Sequence, residues 1–173
     1  MTRTKGIRMS RRHVIPALFV SVALLAACGS SDTSSAEQRR TIILTQDVPT
    51  LTNIDSSAVG NIGGQMEFIA PLFLDGQPYG TVIGSVTNIG TATQGRNTTE
   101  EEKLSLSVYD LPGGQISVMG RSYYDPQQRE IKTTRPVTRA FVGGTAKYIG
   151  ARGEVRSTRN ADGTYTQRIT LID

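Results

Sequence analysis

Residues 141–155 read FVGGTAKYIGARGEV and carry the strongest fold signal in the chain. Glycines beside a lysine can cradle a phosphate, but here Lys147 follows alanine and precedes tyrosine, and the stretch runs into a strand instead of a helix. We therefore interpret it as a tight chain reversal between two strands, with Arg152 tying the turn to a carboxylate. Glycines allow such close packing. The turn glycines are Gly143, Gly144, Gly150 and Gly153.

The rest of the chain predicts strands. Short apolar and β-branched runs are separated by Gly, Pro, Asn and Asp, and no window of a dozen residues has a helical stripe. Turn signals at 111–114 and 160–163 predict antiparallel hairpins. The sequence indicates an all-β fold, an eight-stranded antiparallel up-and-down β-barrel, because closure of a meander removes its exposed edges. The predicted strands lie near 41–46, 65–74, 79–89, 102–110, 114–124, 131–142, 152–159 and 164–172.

Two predicted strands differ in how their faces are composed. Strand 102–110 alternates, with Leu104, Leu106 and Val108 on one face and polar residues on the other. Strand 65–74 is largely apolar on both faces, so it needs a cover on each side. The barrel interior supplies one cover, and either the 47–64 loop or a neighbouring subunit supplies the other.

The first 28 residues have the layout of an export signal. A basic stretch precedes the apolar run 14–27, which is too short to be a comfortable membrane span. Leu-Ala-Ala-Cys at 25–28 resembles the bacterial lipobox, which implies cleavage before Cys28 and lipidation of its thiol. Arg11 and Arg12 are also similar to a twin-arginine export signal. An ordinary signal peptide and an N-terminal anchor remain the alternatives.

This layout predicts three segments and a location. Residues 1–27 are the signal peptide, 28–40 a solvated tether rich in Ser, Asp and Thr, and 41–173 the barrel. We expect an exported protein that a lipid on Cys28 holds at the outer face of the cytoplasmic membrane.

Charge and composition exclude several functions. The chain has a net charge of +4, but five of its 19 basic residues and none of its 15 acidic residues precede Cys28. The remaining 14 basic residues nearly balance the acidic ones, which removes the argument for nucleic-acid binding. The sole histidine, His13, lies in the predicted signal. A Ser-His-Asp triad, a zinc site or a disulfide cannot be built after Cys28, so we expect no metal and no cofactor.

The glycine-rich stretch also resembles a known family. VGGTAKYIGARGEV at 142–155 is similar to the V-x-G-G-T-G-x-F/Y-x-G-A-x-G motif of allene oxide cyclase and dirigent barrels, with Ala146 in place of a glycine. Segments 64–76 and 113–120 resemble further parts of that family. The resemblance implies a calycin-like eight-stranded barrel with an apolar lumen, often trimeric. Such barrels hold a small hydrophobic molecule in one conformation while a ring or coupling bond forms, which requires no histidine or metal.

The resemblance also suggests site residues. Dirigent proteins have acidic and arginine side chains in the lumen, so Glu67 and Arg121 are the catalytic candidates. The first-strand polar pair of the cyclases corresponds to Leu44 and Gln46. Tyr123 and Tyr124 are adjacent and point to opposite faces, so at most one of them lines the lumen. The ligand-binding candidates are apolar or aromatic: Ile69, Phe73, Tyr79, Tyr109 and Tyr123.

Three function classes stay open. The first is a cofactor-free cyclase or isomerase that templates an apolar substrate, and the second is a lipoprotein that binds such a molecule without turnover. The third is an anchored interaction module whose barrel is filled by its own side chains. A cavity of roughly 300 Å³ or more would favour the first two, and a packed lumen would favour the third.

Overall fold

The structure is a computed structural model that describes residues 38–53, 62–91, 100–125 and 130–172. All of them belong to one unit, Ala36–Asp173. The predicted signal peptide, Cys28 and most of the predicted tether lie outside the described residues. Within the described ranges, no helix has the length and hydrophobicity of a membrane span.

The described chain consists of β-strands and one short helix. The strands are β1 (Arg39–Gln46), β2 (Thr50–Asn53), β3 (Gln65–Leu74), β4 (Gln77–Thr91), β5 (Glu101–Leu111), β6 (Gly114–Asp125), β7 (Glu130–Ile131), β8 (Val137–Gly144), β9 (Arg152–Arg159) and β10 (Tyr165–Ile172). A single turn of 3₁₀ helix, Ala146–Tyr148, lies between β8 and β9.

The strands form a closed antiparallel barrel. Hydrogen-bonded neighbours follow the order β1–β10–β9–β8–β6–β5–β4–β3–β2, and β1 also pairs with β3. β1 and β2 lie end to end along β3, while β7 and β8 lie end to end along β6. The described segments therefore occupy eight barrel positions, which confirms the predicted eight-stranded up-and-down barrel.

Three local features differ from the sequence prediction. The strand predicted at 131–142 is interrupted between Ile131 and Val137, where Pro136 has no N–H to donate to a neighbouring strand. β2 was not predicted, because its four residues are too few to show a pattern. The glycine-rich turn contains the 3₁₀ helix, although no helix was expected there.

An apolar plug fills one end of the lumen. It consists of inward side chains of most strands together with Tyr148 from the 3₁₀ helix: Leu44, Ala70, Leu72, Val82, Leu111, Ile116, Val118, Tyr148, Val155, Ile169 and Leu171. Removing a side chain of this size from water contributes about 1.5–3 kcal/mol. The plug therefore contributes to the stability of the barrel, and it closes the barrel at the end that carries the 141–155 turn.

Two glycines of that turn are required by close backbone contacts. A Cβ on Gly144 would lie 2.2 Å from the carbonyl oxygen of Tyr148, and one on Gly153 would lie 1.9 Å from that of Thr170. Gly143 and Gly150 have no such neighbour within 4 Å. The structure thus contains the predicted tight reversal. Arg152 is the first residue of β9, and its carboxylate partner stays a prediction.

Candidate functional site

A chamber opens in the half of the lumen that the plug does not fill. The space open to the centres of water molecules is about 40 Å³, and the unfilled volume including the mouth is about 450 Å³. Its apolar and aromatic walls come from six strands: Leu51, Met66, Phe68, Tyr109, Tyr124, Ile131 and Tyr165. The chamber therefore combines an apolar wall with an open end, and its size is that of a few water molecules.

The chamber borders a layer of buried hydrogen-bonded side chains, which we call the polar belt. It lies across the middle of the barrel and consists of Gln46, Ser105, Tyr109, Ser122, Arg139, Ser157 and Gln167. The Tyr109 hydroxyl and the Ser157 hydroxyl donate to Gln167 Oε1 at 3.0 and 2.6 Å, and Gln167 Nε2 donates to Gln46 Oε1 at 2.6 Å. Buried polar groups that hold one another in this way adopt a single arrangement.

Arg139 is the charged member of the polar belt. Its side chain is 5% exposed and lines the chamber. One terminal nitrogen donates to Ser157 Oγ at 2.9 Å and the other to Ser122 Oγ at 3.1 Å, while Nε has no hydrogen-bond partner. The Ser122 hydroxyl also lies 2.5 Å from that of Ser105. The guanidinium is thus held by neutral hydroxyls.

Other cations near the chamber have carboxylate partners. Lys103 lies 2.9 Å from Glu101, and both side chains are buried on the inner face of β5. Arg159 contacts Glu130, which lines the chamber and also accepts a hydrogen bond from Tyr165 at 3.3 Å. Among the described residues no ion pair involves Arg139.

The chamber tyrosines are neutral hydroxyl groups near neutral pH. Burial raises the pKa of Tyr109 and Tyr124, and the nearby Arg139 charge only partly opposes this shift. Burial also raises the pKa of Tyr165, and the Glu130 carboxylate adds to the shift. Because the phenols keep their protons, they do not supply a negative charge to Arg139.

The predicted catalytic pair does not lie in the lumen. Glu67 is exposed on β3, between the inward residues Met66 and Phe68. Arg121 is exposed on β6 and forms a 3.5 Å ion pair with Glu102. Successive residues of a strand face opposite sides. Because the neighbours of Glu67 and Arg121 point into the lumen, these two side chains point out of it. The prediction that Glu67 and Arg121 face the lumen is therefore wrong.

The ligand-binding candidates divide in the same way. Tyr109 lines the chamber, whereas Ile69 is 49% exposed on the outer face and Tyr123 packs outside the barrel against Arg135. Tyr79 packs beside the apolar plug, and Phe73 is half-buried next to a register shift in β3. Of the five candidates, only Tyr109 is among the residues that line the chamber.

Sequence reasoning missed Arg139 and Gln167 of the belt, and it named Gln46 only as the counterpart of a polar residue in the cyclases, although all three carry a readable signal. Arg139 lies between Val137 and Phe141 on one face of β8, and Gln167 lies between Tyr165 and Ile169 on one face of β10. Gln46 continues the inward series of Leu44 on β1. In each case a polar residue occupies an alternating apolar face, and that break in the pattern marks the chamber.

The outer surface carries an apolar face of its own. It extends over β3 to β6 and consists of Ile69, Ile83, Leu104, Leu106, Val108 and Met119. Ile69 pairs across strands with Ile83, and Ile83 with Val108, so these side chains form one row. The described part of the 47–64 loop does not cover them, since Leu104, Leu106 and Met119 are 42–46% exposed.

Comparisons with known proteins show the fold. No family model matches the sequence, and no curated protein sequence matches it. The pterocarpan synthase dirigent protein GePTS1 matches with a TM-score of 0.59 and 16% identity over 90% of this chain and 98% of that chain. The Diels-Alderase AbmU from Streptomyces koyangensis matches with a TM-score of 0.60 and 11% identity, over 81% and 70%. A pyocyanin demethylase matches with a TM-score of 0.57 and 19% identity, over 78% and 99%. The chain thus has the fold of the dirigent and cyclase barrels, as the glycine-rich motif predicted.

Proposed function

We propose that the barrel binds a small, mostly apolar molecule in its chamber and templates the cyclisation or isomerisation of that molecule. The observation that carries this proposal is the chamber itself, which has aromatic walls, a fixed polar belt and an open end. A rigid site of this kind acts by orienting a flexible substrate and excluding water. The proteins with similar structures include a pterocarpan synthase dirigent protein and a Diels-Alderase, and this likeness supports the proposal.

The chamber must enlarge to hold a whole substrate. About 40 Å³ accommodates roughly three water molecules, well below the roughly 300 Å³ of a typical ligand site. By this measure the lumen as it stands is closer to the filled barrel of an interaction module, so the binding proposal requires the chamber to enlarge. One short element of the wall is β2, which has four residues, pairs with β3 alone among the described strands and places Leu51 against the chamber. We infer that β2 moves outward when a ligand enters.

Binding is tested with a polyene fatty acid whose fluorescence changes on transfer to an apolar site, such as cis-parinaric acid. We expect saturable 1:1 binding to the purified barrel. Ser107→Phe places a ring in the chamber and should weaken binding at least tenfold. Thr170→Phe is the matched control, because Thr170 alternates outward between the buried Ile169 and Leu171 on β10. Equal binding by both variants would place the probe outside the chamber.

Templating is tested with an achiral polyene or epoxide that cyclises spontaneously. The barrel should change the enantiomer ratio of the product, and the Ser107→Phe variant should restore the uncatalysed ratio. An unchanged ratio alongside tight binding would contradict templating and favour a ligand-binding lipoprotein without turnover.

We also propose that the outer apolar face joins copies of this chain into a homo-oligomer, a trimer by family resemblance. Monomeric proteins rarely expose an apolar patch that continues over four strands. Light scattering after size exclusion should show an oligomer, and Leu106→Lys should reduce it to a monomer with an intact β-sheet spectrum. A monomeric wild type would overturn this proposal.

Export and anchoring are proposed from residues 1–28. The apolar run and Cys28 in its Leu-Ala-Ala-Cys context support signal cleavage and lipidation. Mass spectrometry of the membrane fraction should find an acylated cysteine at the mature N-terminus, and Cys28→Ala should release the protein or leave it unprocessed. An unmodified cysteine on the exported protein would contradict the anchor.

A further inference from the structure

The buried charge of Arg139 lowers the stability of the ligand-free barrel. A buried charge loses its hydration, and the protein normally compensates with an opposite charge and complete hydrogen bonding. Arg139 has neither, since its partners are the neutral hydroxyls of Ser122, Ser157 and Tyr124 and its Nε has no hydrogen-bond partner. Arg139 lies at the wall of a chamber and lacks an opposite charge and a hydrogen-bond acceptor for Nε. We therefore expect a ligand in the chamber to supply them.

The surrounding polar belt holds the guanidinium in place without neutralising it. The Ser157 hydroxyl donates to Gln167 Oε1 and so offers only its lone pairs to Arg139. Gln167 is fixed in turn by Tyr109 and Gln46. The network therefore orients Arg139 and leaves its positive charge for a molecule in the chamber.

We propose that Arg139 binds an anionic oxygen of the ligand, so that the molecule held in the chamber is an organic anion such as a carboxylate, phenolate or enolate. This inference rests on the proposed function and specifies its substrate class. The guanidinium supplies charge-assisted hydrogen bonds to the anionic oxygen. The walls of Tyr109, Tyr124 and Phe68 contact the apolar or aromatic frame that carries it.

The test compares acids with amides of the same shape. Wild-type protein should bind cinnamate or 2-naphthoate roughly 10- to 100-fold more tightly than the corresponding carboxamide, since a hydrogen bond to a charged group contributes more than one between neutral groups. Arg139→Gln should abolish this preference, and Arg139→Lys should restore part of it. Arg121→Gln is the matched control, because Arg121 lies on the outer face and its loss should leave the preference intact.

A purely structural role for Arg139 gives a different result. In that case Arg139→Gln would lower the unfolding temperature of the ligand-free barrel and leave the acid-to-amide ratio unchanged. Equal wild-type affinity for acid and amide would overturn the anion site while leaving the binding barrel intact.

A small probe separates the two proposals. Acetate has four heavy atoms, close to the roughly three water molecules that the chamber holds. We therefore expect it to enter without movement of β2, so its binding does not depend on the larger ligand site. Acetate should raise the unfolding temperature of the wild type and not of Arg139→Gln, with acetamide as the control for both. If acetate raises the unfolding temperature as expected and no larger ligand binds, the anion site stands and the proposed function fails. If acetate does not respond and naphthoate binds no better than its amide, the anion site fails.

Discussion

Single polar residues set the boundary between the plug and the chamber. Along the inner face of β10, Leu171 and Ile169 belong to the plug, whereas Gln167 belongs to the polar belt and Tyr165 to the chamber wall. One amide in an apolar series introduces hydrogen bonds that an aliphatic side chain cannot make. Replacing such positions with leucine would extend the plug, so the chamber depends on a few residues and not on the fold alone.

The residue-scale prediction concerns the adjacent glycines of the 141–155 turn. Gly144→Ala should destabilise the barrel by about 1–3 kcal/mol, because its Cβ would overlap the Tyr148 carbonyl and force the turn to shift. Gly143→Ala should change the free energy of unfolding by less than about 0.5 kcal/mol, since nothing lies within 4 Å of its Cβ. Urea unfolding followed by circular dichroism measures both. Equal effects would show that the turn does not depend on close packing at Gly144.

At the scale of strands, the sequence predicts alternation but not which face points inward. β5 alternates as expected, yet its polar face with Lys103, Ser105 and Ser107 is buried, whereas Leu104 and Leu106 lie outside. The outcome depends on cross-strand partners such as Ser122 on β6, whose hydroxyl lies 2.5 Å from that of Ser105, and no local pattern reveals these partners. The same ambiguity explains the wrong prediction that Glu67 and Arg121 face the lumen. A shift of one residue along a strand moves a side chain to the other face.

The element-scale prediction tests whether β2 opens. Thr52 and Glu67 are directly paired across β2 and β3 with outward side chains, so cysteines at both positions can form a cross-strand disulfide. In the oxidised variant we expect cis-parinarate to bind at least tenfold more slowly, because β2 cannot leave the chamber wall. Reduction should restore the wild-type rate.

The control for this disulfide is the single Thr52→Cys variant, which should respond to neither oxidant nor reductant. Unchanged binding by the fully oxidised double variant would show that the ligand enters by another route, and the inference about β2 would be withdrawn.

At the scale of the molecule, the number and order of the barrel strands were predictable and the contents of the lumen were not. Strand number follows from regularly spaced turn signals such as 111–114, and closure follows from the cost of open sheet edges. The lumen depends on how inward side chains from all eight barrel positions fill a shared volume. Tyr109 and Gln46 meet Gln167 only after closure, so the polar belt had no counterpart in any single stretch of sequence.

The whole-molecule prediction concerns alkaline pH. Burial raises the pKa of Tyr109, Tyr124, Tyr148 and Tyr165 above the value of about 10 that an unfolded tyrosine has. Their contribution to stability is fully present below pH 10 and is lost as the pH rises towards the folded-state values, because the unfolded chain then releases protons more readily.

We therefore expect the barrel to unfold cooperatively in alkali. The phenolate absorbance of these four tyrosines should appear together with the loss of the β-sheet signal in circular dichroism. A ligand in the chamber stabilises only the folded state, so saturating 2-naphthoate should move the transition to higher pH. Arg139→Gln should show the alkaline transition with a smaller shift at the same 2-naphthoate concentration, because it binds the acid no more tightly than the amide. Noncooperative titration of every tyrosine near pH 10 with an intact β-sheet spectrum would contradict the burial of the chamber phenols.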